Sequence, residues 1–111
     1  MKNNCPICDA FSKEKIIYET RDFFVINAKT KKGHKQRYMF CSMQHVPHNP
    51  FDYQRLLIAV QTGLHLFKTD FVVFNGIYAS IKQHWHVILS DRFFQDEVVD
   101  ITKEPRIEVF R

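Results

Sequence analysis

Two short patterns place metal-binding or nucleophilic side chains at fixed spacings. Near the N-terminus, Cys5 and Cys8 form a CxxC pair, and His84 and His86 lie one residue apart in the segment SIKQHWHVILSDR, residues 80–92. Two thiolates spaced this way can bind one tetrahedral zinc ion, which then needs two further ligands, usually His or Cys. A neutral imidazole can act as a base, a metal ligand or a nucleophile. The spacing alone leaves these roles open.

The CxxC pair has several candidate partners and more than one interpretation. Further metal ligands can come from His45 and His48, in the segment QHVPHNP, or from the pair His84 and His86. A redox dithiol is typical of a helix start in a βαβ unit, a context that this N-terminus does not indicate. A pair of free thiols is the other alternative. Cys41 is predicted to be a small buried hydrophobe.

The two histidines lie in a segment with the alternation of a half-buried strand. Read with period two, Trp85, Val87 and Leu89 fall on a mainly apolar side, and His84 and His86 fall on the opposite side. Side chains two apart on a strand point the same way, about 6.5 to 7 Å apart along the chain. We therefore expect both imidazoles to be able to face one ligand or one metal.

Length and composition predict one compact domain. The 111 residues are too few for two independent cores, and 45% hydrophobic with 25% charged residues is ordinary for a globular protein. The N-terminus has no apolar run of signal-peptide length, and no stretch approaches the ~20 residues that span a bilayer. An odd count of 3 cysteines fits a reducing compartment. We expect a soluble cytoplasmic protein with no membrane contact.

The formal net charge of +4 is concentrated in one predicted loop, AKTKKGHKQR, residues 28–37. An anionic partner is one explanation, either the phosphates of a small molecule or a nucleic-acid backbone. A solvated loop tip is the other. The basic residues of this loop are Lys29, Lys31, Lys32, Lys35 and Arg37.

The order of predicted elements is β-β-β-α-β-β. Runs rich in Ile, Val and Phe predict strands at 15–20, 22–28 and 37–43. Asn49 is a candidate cap for an amphipathic helix of about 17 residues, with Gly63 as its weak point. Two further apolar runs flank Asn75-Gly76, a dipeptide suited to a tight hairpin turn, although a somewhat longer loop reaching Ala79 is the alternative. One more strand can follow near 107–110. This order favours an α+β fold, an antiparallel sheet of about five strands with one main helix.

These features together carry a family resemblance. The succession of CPIC, IIYETRDFFVINAKTKKGH, RYMFCSMQH before a helix, FNG and HWHVILSDR resembles the histidine triad (HIT) superfamily of nucleotide hydrolases and transferases, of the zinc-containing type. The similarity runs from about Cys5 to Arg92. It implies a single HIT-like domain at 1–111, with a CxxC knuckle at 1–12, a core at 13–92 and a C-terminal extension at 93–111.

Two registers of the histidine motif are compatible with this resemblance. In the first, HWHV matches the last two of the family's three alternating histidines. His84 is then the nucleophile and His86 its neighbour, and Lys82 stands where the family has a zinc-binding histidine. Lysine, normally protonated, does not readily ligate zinc. The ligands Cys5, Cys8 and His45 then need a fourth from His48 or water. We favour this register because it matches HWHVI and the following arginine.

The second register resembles the galactose-1-phosphate uridylyltransferase branch, in which a glutamine follows two histidines. His84 then completes a zinc site with Cys5, Cys8 and His45. His86 becomes the nucleophile, and Ile88 occupies the place of the glutamine. This register gives the zinc ion four ligands but loses the match to HWHVI and the following arginine.

The resemblance implies attack by a neutral histidine on the α-phosphorus of a nucleotide, with a covalent nucleotidyl-histidine as intermediate. A dinucleoside polyphosphate or a nucleoside phosphoramidate is the expected kind of substrate. Substrate contacts are assigned to Asn27, in the place of a ribose-binding carboxylate, and to Asn75, Ser80 and Lys82. By the same resemblance we expect a homodimer.

Two other functions remain open. One is a HIT-fold protein that binds nucleotide or RNA through its basic loop without turnover. The other is a metal-dependent hydrolase or zinc-stabilised module in which His45, His84 and His86 all bind metal.

Overall fold

A computed structural model describes residues 4–29, 33–91 and 105–111. Within these ranges six strands form one antiparallel sheet. The predicted α+β class is confirmed, with a second helix that the sequence did not indicate. Neither described helix combines the length and the apolar content needed to cross a membrane. In chain order the elements are α1 (Pro6–Lys13), β1 (Ile16–Glu19), β2 (Phe23–Asn27), β3 (Arg37–Ser42), α2 (Tyr53–Leu66), β4 (Phe71–Phe74), β5 (His86–Asp91) and β6 (Arg106–Val109). Across the sheet the strand order is β1-β2-β3-β5-β4-β6.

Helix α2 covers one face of the sheet. Leu56, Ala59 and Gly63 are its buried positions at spacings of three and four, so they form a single stripe. This stripe lies over the main apolar core, where each large side chain taken from water contributes ~1.5–3 kcal/mol. The buried core residues of this face are Phe23, Val25, Phe40, Phe67, Phe71, Val73, Trp85, Val87 and Leu89, together with Leu56 and Ala59 of the helix.

The start of α2 differs from the sequence expectation. Asp52 is the N-cap, and its Oδ1 accepts a hydrogen bond from the Arg55 amide at 3.1 Å. Asn49 instead accepts from the Phe51 amide through Oδ1 at 3.0 Å, a local turn ahead of the helix. Its carbonyl accepts from Trp85 Nε1 at 3.1 Å, so the main chain at Asn49 is tied to the residue just before β5. The helix is therefore 14 residues long, three fewer than the roughly 17 expected.

Helix α1 covers part of the opposite face and includes most of the expected CxxC knuckle. Cys5 is its N-cap, and Pro6, at the first helical position, lacks only an N–H that would have no helical partner. The buried Ile7 and the ring of Phe11, 5.0 Å from that of Phe24, pack on the β2 side of the sheet. The CxxC pair thus does begin a helix, contrary to the sequence interpretation.

The connection between β4 and β5 is a loop longer than both the tight hairpin and the loop to Ala79 that the sequence allowed. Gly76 has φ +73°, as expected for an Asn-Gly turn, and the Ala79 amide donates to its carbonyl at 3.0 Å. The chain then continues to Trp85, whose amide donates to Val46 O at 2.9 Å, and the strand begins only at His86. The predicted strand over residues 80–85 is therefore wrong, because the Lys82 carbonyl and the Trp85 amide bond to the segment before α2.

Candidate functional site

Four side chains from three separate segments meet under α1. Cys5 and Cys8 come from the start of that helix, His45 from the connection between β3 and α2, and His84 from the end of the loop before β5. Their ligand atoms all lie within 4.8 Å of one another. The cysteines and His84 are buried, and His45 is partly buried. These four residues can bind a metal ion.

The distances within this cluster fit a tetrahedral site. Ligands 2.0–2.3 Å from one ion lie roughly 3.3–3.8 Å apart along the edges of a tetrahedron. Cys8 Sγ is 3.2 Å from His45 Nδ1, and His84 Nδ1 is 3.4 Å from both sulfur atoms. The two Nδ1 atoms are 3.2 Å apart. These four of the six edges are thus up to a few tenths of an ångström short of those of a metal-bound set, and the other two are at most 4.8 Å.

Hydrogen bonds at the rim of the cluster orient its ligands. His84 Nε2 is 2.7 Å from the carbonyl oxygen of Ser42, which can only accept, so the ring proton is on Nε2 and the lone pair of Nδ1 faces the thiols. The Cys8 amide donates to Cys5 Sγ at 3.5 Å. His84 therefore has the tautomer of a metal ligand. His48, the other expected source of a fourth ligand, contacts Gly76 instead.

A cavity of about 490 Å³ opens on the same face of the sheet, beside the cluster. Met39 and Ile88 form part of its floor, and the loop 75–81 forms one wall. His86 lines it and is 7% exposed. Its Nδ1 donates to the carbonyl of His84 at 2.8 Å, which leaves the lone pair on Nε2.

The two histidines thus differ in surroundings although they are two residues apart. Both lie on the side of the chain opposite to Trp85 and Val87, as the alternation predicted. They do not share one ligand, because His84 turns to the thiols and His86 lines the cavity. Burial lowers the pKa of each imidazole, and in each case a neighbouring histidine, His45 for the first and His48 for the second, lowers it further. Both rings are therefore favoured in the neutral form.

The expected substrate-binding residues are divided between the cavity and other surfaces. Asn75 lines the cavity, is 9% exposed, and its Oδ1 has no hydrogen-bond partner within the described parts of the chain. Ser80 also lines it and is exposed. Lys82 is exposed and does not line the cavity, and its carbonyl accepts from the His48 amide at 3.0 Å. Asn27 shares its face with Val25, which packs under α2, so it lies on the other side of the sheet.

Residues of β3 that sequence reasoning did not assign to the site also line the cavity. Arg37 and Met39 point to the same face as Cys41, since they alternate along the strand. Arg37, the last basic residue of the predicted loop, is the first residue of β3, as in the predicted strand at 37–43. Lys31 and Lys32 of that loop lie outside the described residues. Burial, with a contribution from the nearby Cys5, raises the pKa of the Cys41 thiol, so Cys41 is the small buried group that was predicted.

His34 lies in a second group of polar side chains at the far end of β5. Its Nδ1 is 2.8 Å from Ser90 Oγ and 3.3 Å from Asp91 Oδ1, and its side chain is 1% exposed. A hydrolytic triad needs the two ring nitrogens on different partners, whereas here one nitrogen meets both. These contacts therefore differ from those of a hydrolytic triad.

Comparison with models of protein families, with curated proteins and with solved structures finds no match to this chain.

Proposed function

We propose that this protein is a nucleotidyl hydrolase or transferase of the histidine triad superfamily, with His86 as the nucleophile. The observation that carries the proposal is the position of His86. Its Nδ1 donates to the carbonyl of His84 at 2.8 Å, so the lone pair is on Nε2, and the side chain lines the cavity. Burial favours the neutral ring, which is the nucleophilic form.

The geometry favours the second of the two registers. His84 has the tautomer and the distances of a metal ligand beside Cys5, Cys8 and His45. A histidine committed to a metal has no lone pair left for phosphorus, whereas His86 retains one. Ile88 then occupies the place of the family's glutamine and forms part of the cavity floor.

The metal that fits the cluster best is zinc. Two thiolates and two imidazoles in a closed tetrahedral set are a typical structural zinc site, and softer or harder ions prefer other donor sets. The ion would tie α1 to the loops that carry His45 and His84. Its role would be structural, because all four positions are filled by protein ligands.

The chemistry proceeds in two in-line displacements. His86 Nε2 attacks the α-phosphorus, a P–N bond forms, and the bond to the leaving group breaks with its electron pair, which takes a proton from water. The hydrogen bond from Nδ1 to the His84 carbonyl stabilises the positive charge that develops on the ring. Water or another acceptor then attacks phosphorus, the P–N bond breaks, and the electron pair returns to Nε2 while the proton of the acceptor goes to solvent.

The substrate is a nucleotide joined at its α-phosphate to a leaving group, such as a dinucleoside polyphosphate or a nucleoside phosphoramidate. The apolar floor at Met39 and Ile88 suits a base and sugar. The Oδ1 of Asn75, which has no hydrogen-bond partner among the residues that the structure describes, supplies an acceptor for a ligand hydroxyl or amine. Ser80 can donate to a phosphoryl oxygen. Asn27 and Lys82 lie outside this cavity, so the proposed substrate contacts are Asn75 and Ser80.

The test separates the two histidines. His86→Ala should abolish release of nucleoside monophosphate from a nucleoside phosphoramidate while metal content stays at one ion per chain. His84→Ala should lose the metal and stability together. His65→Ala, an exposed histidine of α2, is the matched control and should behave as wild type.

Intact-mass measurement supplies the direct readout. Wild type mixed with substrate should show an adduct of one nucleotidyl group, and His86→Ala should show none. Full turnover by His86→Ala would refute the assignment. Nucleotide or RNA binding by wild type with neither adduct nor turnover would instead support a binding protein.

A further inference from the structure

His48 lies between two parts of the cavity and bonds to both. It belongs to the connection between β3 and α2. Its Nε2 is 3.0 Å from the carbonyl oxygen of Gly76, at the start of the loop wall. Its Nδ1 is 3.4 Å from the amide nitrogen of His86, where β5 begins. The rings of His48 and His86 are tilted by 38° with centroids 5.0 Å apart.

The partners of His48 specify one tautomer. A carbonyl oxygen can only accept, so the ring proton is on Nε2, and an amide can only donate, so the lone pair is on Nδ1. One neutral imidazole thus joins the main chain of His86 to the main chain of Gly76. Its own amide adds a third bond, to Lys82 O at 3.0 Å, in the loop between them.

The contact with Gly76 is close as well as polar. A Cβ built on Gly76 would lie 2.7 Å from His48 Nε2 and 3.1 Å from Cε1. The positive φ of +73° also disfavours a side chain there. The glycine therefore lets the ring approach the start of the loop 75–81, which forms one wall of the cavity.

We propose that His48 is a positioning residue for the nucleotidyl transfer: it fixes the distance between the nucleophile His86 and the loop wall against which the substrate rests. The inference rests on the proposed function and goes beyond it, because His48 touches neither phosphorus nor metal. A misplacement of about 1 Å between a nucleophile and its substrate can cost on the order of 100-fold in rate. His48 hydrogen-bonds to the main chain at both ends of that distance, at His86 and at Gly76.

The experiment compares three variants for metal content, melting temperature and the single-turnover rate of adduct formation at saturating substrate. His48→Leu, which has no hydrogen-bonding group, should lower that rate about 10- to 100-fold. His48→Gln, whose amide has one donor and one acceptor, should recover at least part of the loss. His65→Leu is the matched control, exposed on α2, and should leave the rate unchanged.

Two further measurements keep the outcome decisive. Gly76→Ala perturbs the same contact from the other side and should lower the rate in a protein that keeps His48, even where His48→Leu folds poorly. Hydrogen exchange at the amide of His86 should be faster in His48→Leu or Gly76→Ala than in wild type, and this readout does not require turnover. A wild type without turnover would thus count against the proposed function alone. Unchanged exchange, or a rate within twofold of wild type in both variants, would overturn the role of His48.

Discussion

Replacing Gly63 by Ala tests how closely α2 packs against the sheet. By helix propensity alone, this change in the middle of a helix should stabilise the protein, because Ala is favoured over Gly by ~1 kcal/mol. The structure predicts the opposite sign. A Cβ at Gly63 would lie 2.3 Å from Cε2 and 2.7 Å from Cζ of Phe71.

The size of the effect follows from how little Phe71 can move. Ordinary contacts between carbon atoms are near ~3.6 Å, so the new methyl group would overlap the ring by more than 1 Å. Phe71 is 0% exposed, and its ring stacks on that of Phe67 at 4.9 Å. Overpacking of a core costs up to ~3 kcal/mol of stability, and we take this upper value because Phe71 is confined. The gain in helix propensity offsets ~1 kcal/mol of that cost. We expect a net loss of ~2 kcal/mol, or a melting temperature lower by ~8 °C.

Urea unfolding at fixed zinc concentration measures this loss, since any bound metal contributes to apparent stability. The midpoint should fall while the slope m stays constant. Gln61→Ala, an exposed position on the same helix, is the control and should change stability by less than ~0.5 kcal/mol. In a Phe71→Leu background the cost of Gly63→Ala should shrink. A Gly63→Ala protein as stable as wild type would refute the reasoning.

The remaining predictions concern the cluster and the buried imidazole. Cys8→Ser removes one thiolate and should bind zinc at least 10-fold more weakly than wild type, as measured by competition with a chelator. Cys41→Ser is the control and should retain wild-type affinity. Equal weakening in both variants would contradict the ligand assignment. Burial lowers the pKa of His86 below its ordinary value of 6.5. As the pH falls, His86 is therefore protonated in the unfolded chain before it is protonated in the folded protein. Stability should therefore fall as pH drops from 6.5 toward the lowered pKa of the folded state. His86→Gln should reduce that dependence in urea unfolding between pH 7 and 5, and an unchanged slope would show that other groups cause it.

The local sequence pattern was sufficient to predict most of the strands of the sheet and the main helix. The strands β1, β2 and β3 lie within the predicted runs, and β6 lies where one more strand was allowed. The alternation around Trp85, Val87 and Leu89 assigned these side chains correctly to the core face. Such features follow from periodicity within a few residues, which the chain carries wherever it folds.

Helix α1 was missed because its signals are weak at sequence level. It has only eight residues, and its cap is a cysteine, which is not among the usual capping residues. What favours the helix is the burial of Ile7 and Phe11 against β2 and the packing of the two thiols near His84. These are contacts between residues distant in the chain.

The sequence by itself determined which side chains were available: a CxxC pair, two histidines on the polar side of an apolar run, and His45 ahead of the helix. Only the tertiary structure decided that His84 joins the thiols and that His86 lines the cavity. The physical reason is where β5 begins. The carbonyl of Trp85 accepts from the Ser42 amide at the end of β3, but its amide donates to Val46 O ahead of α2. His84 therefore lies in a loop that can turn under α1, while His86 is held in the sheet.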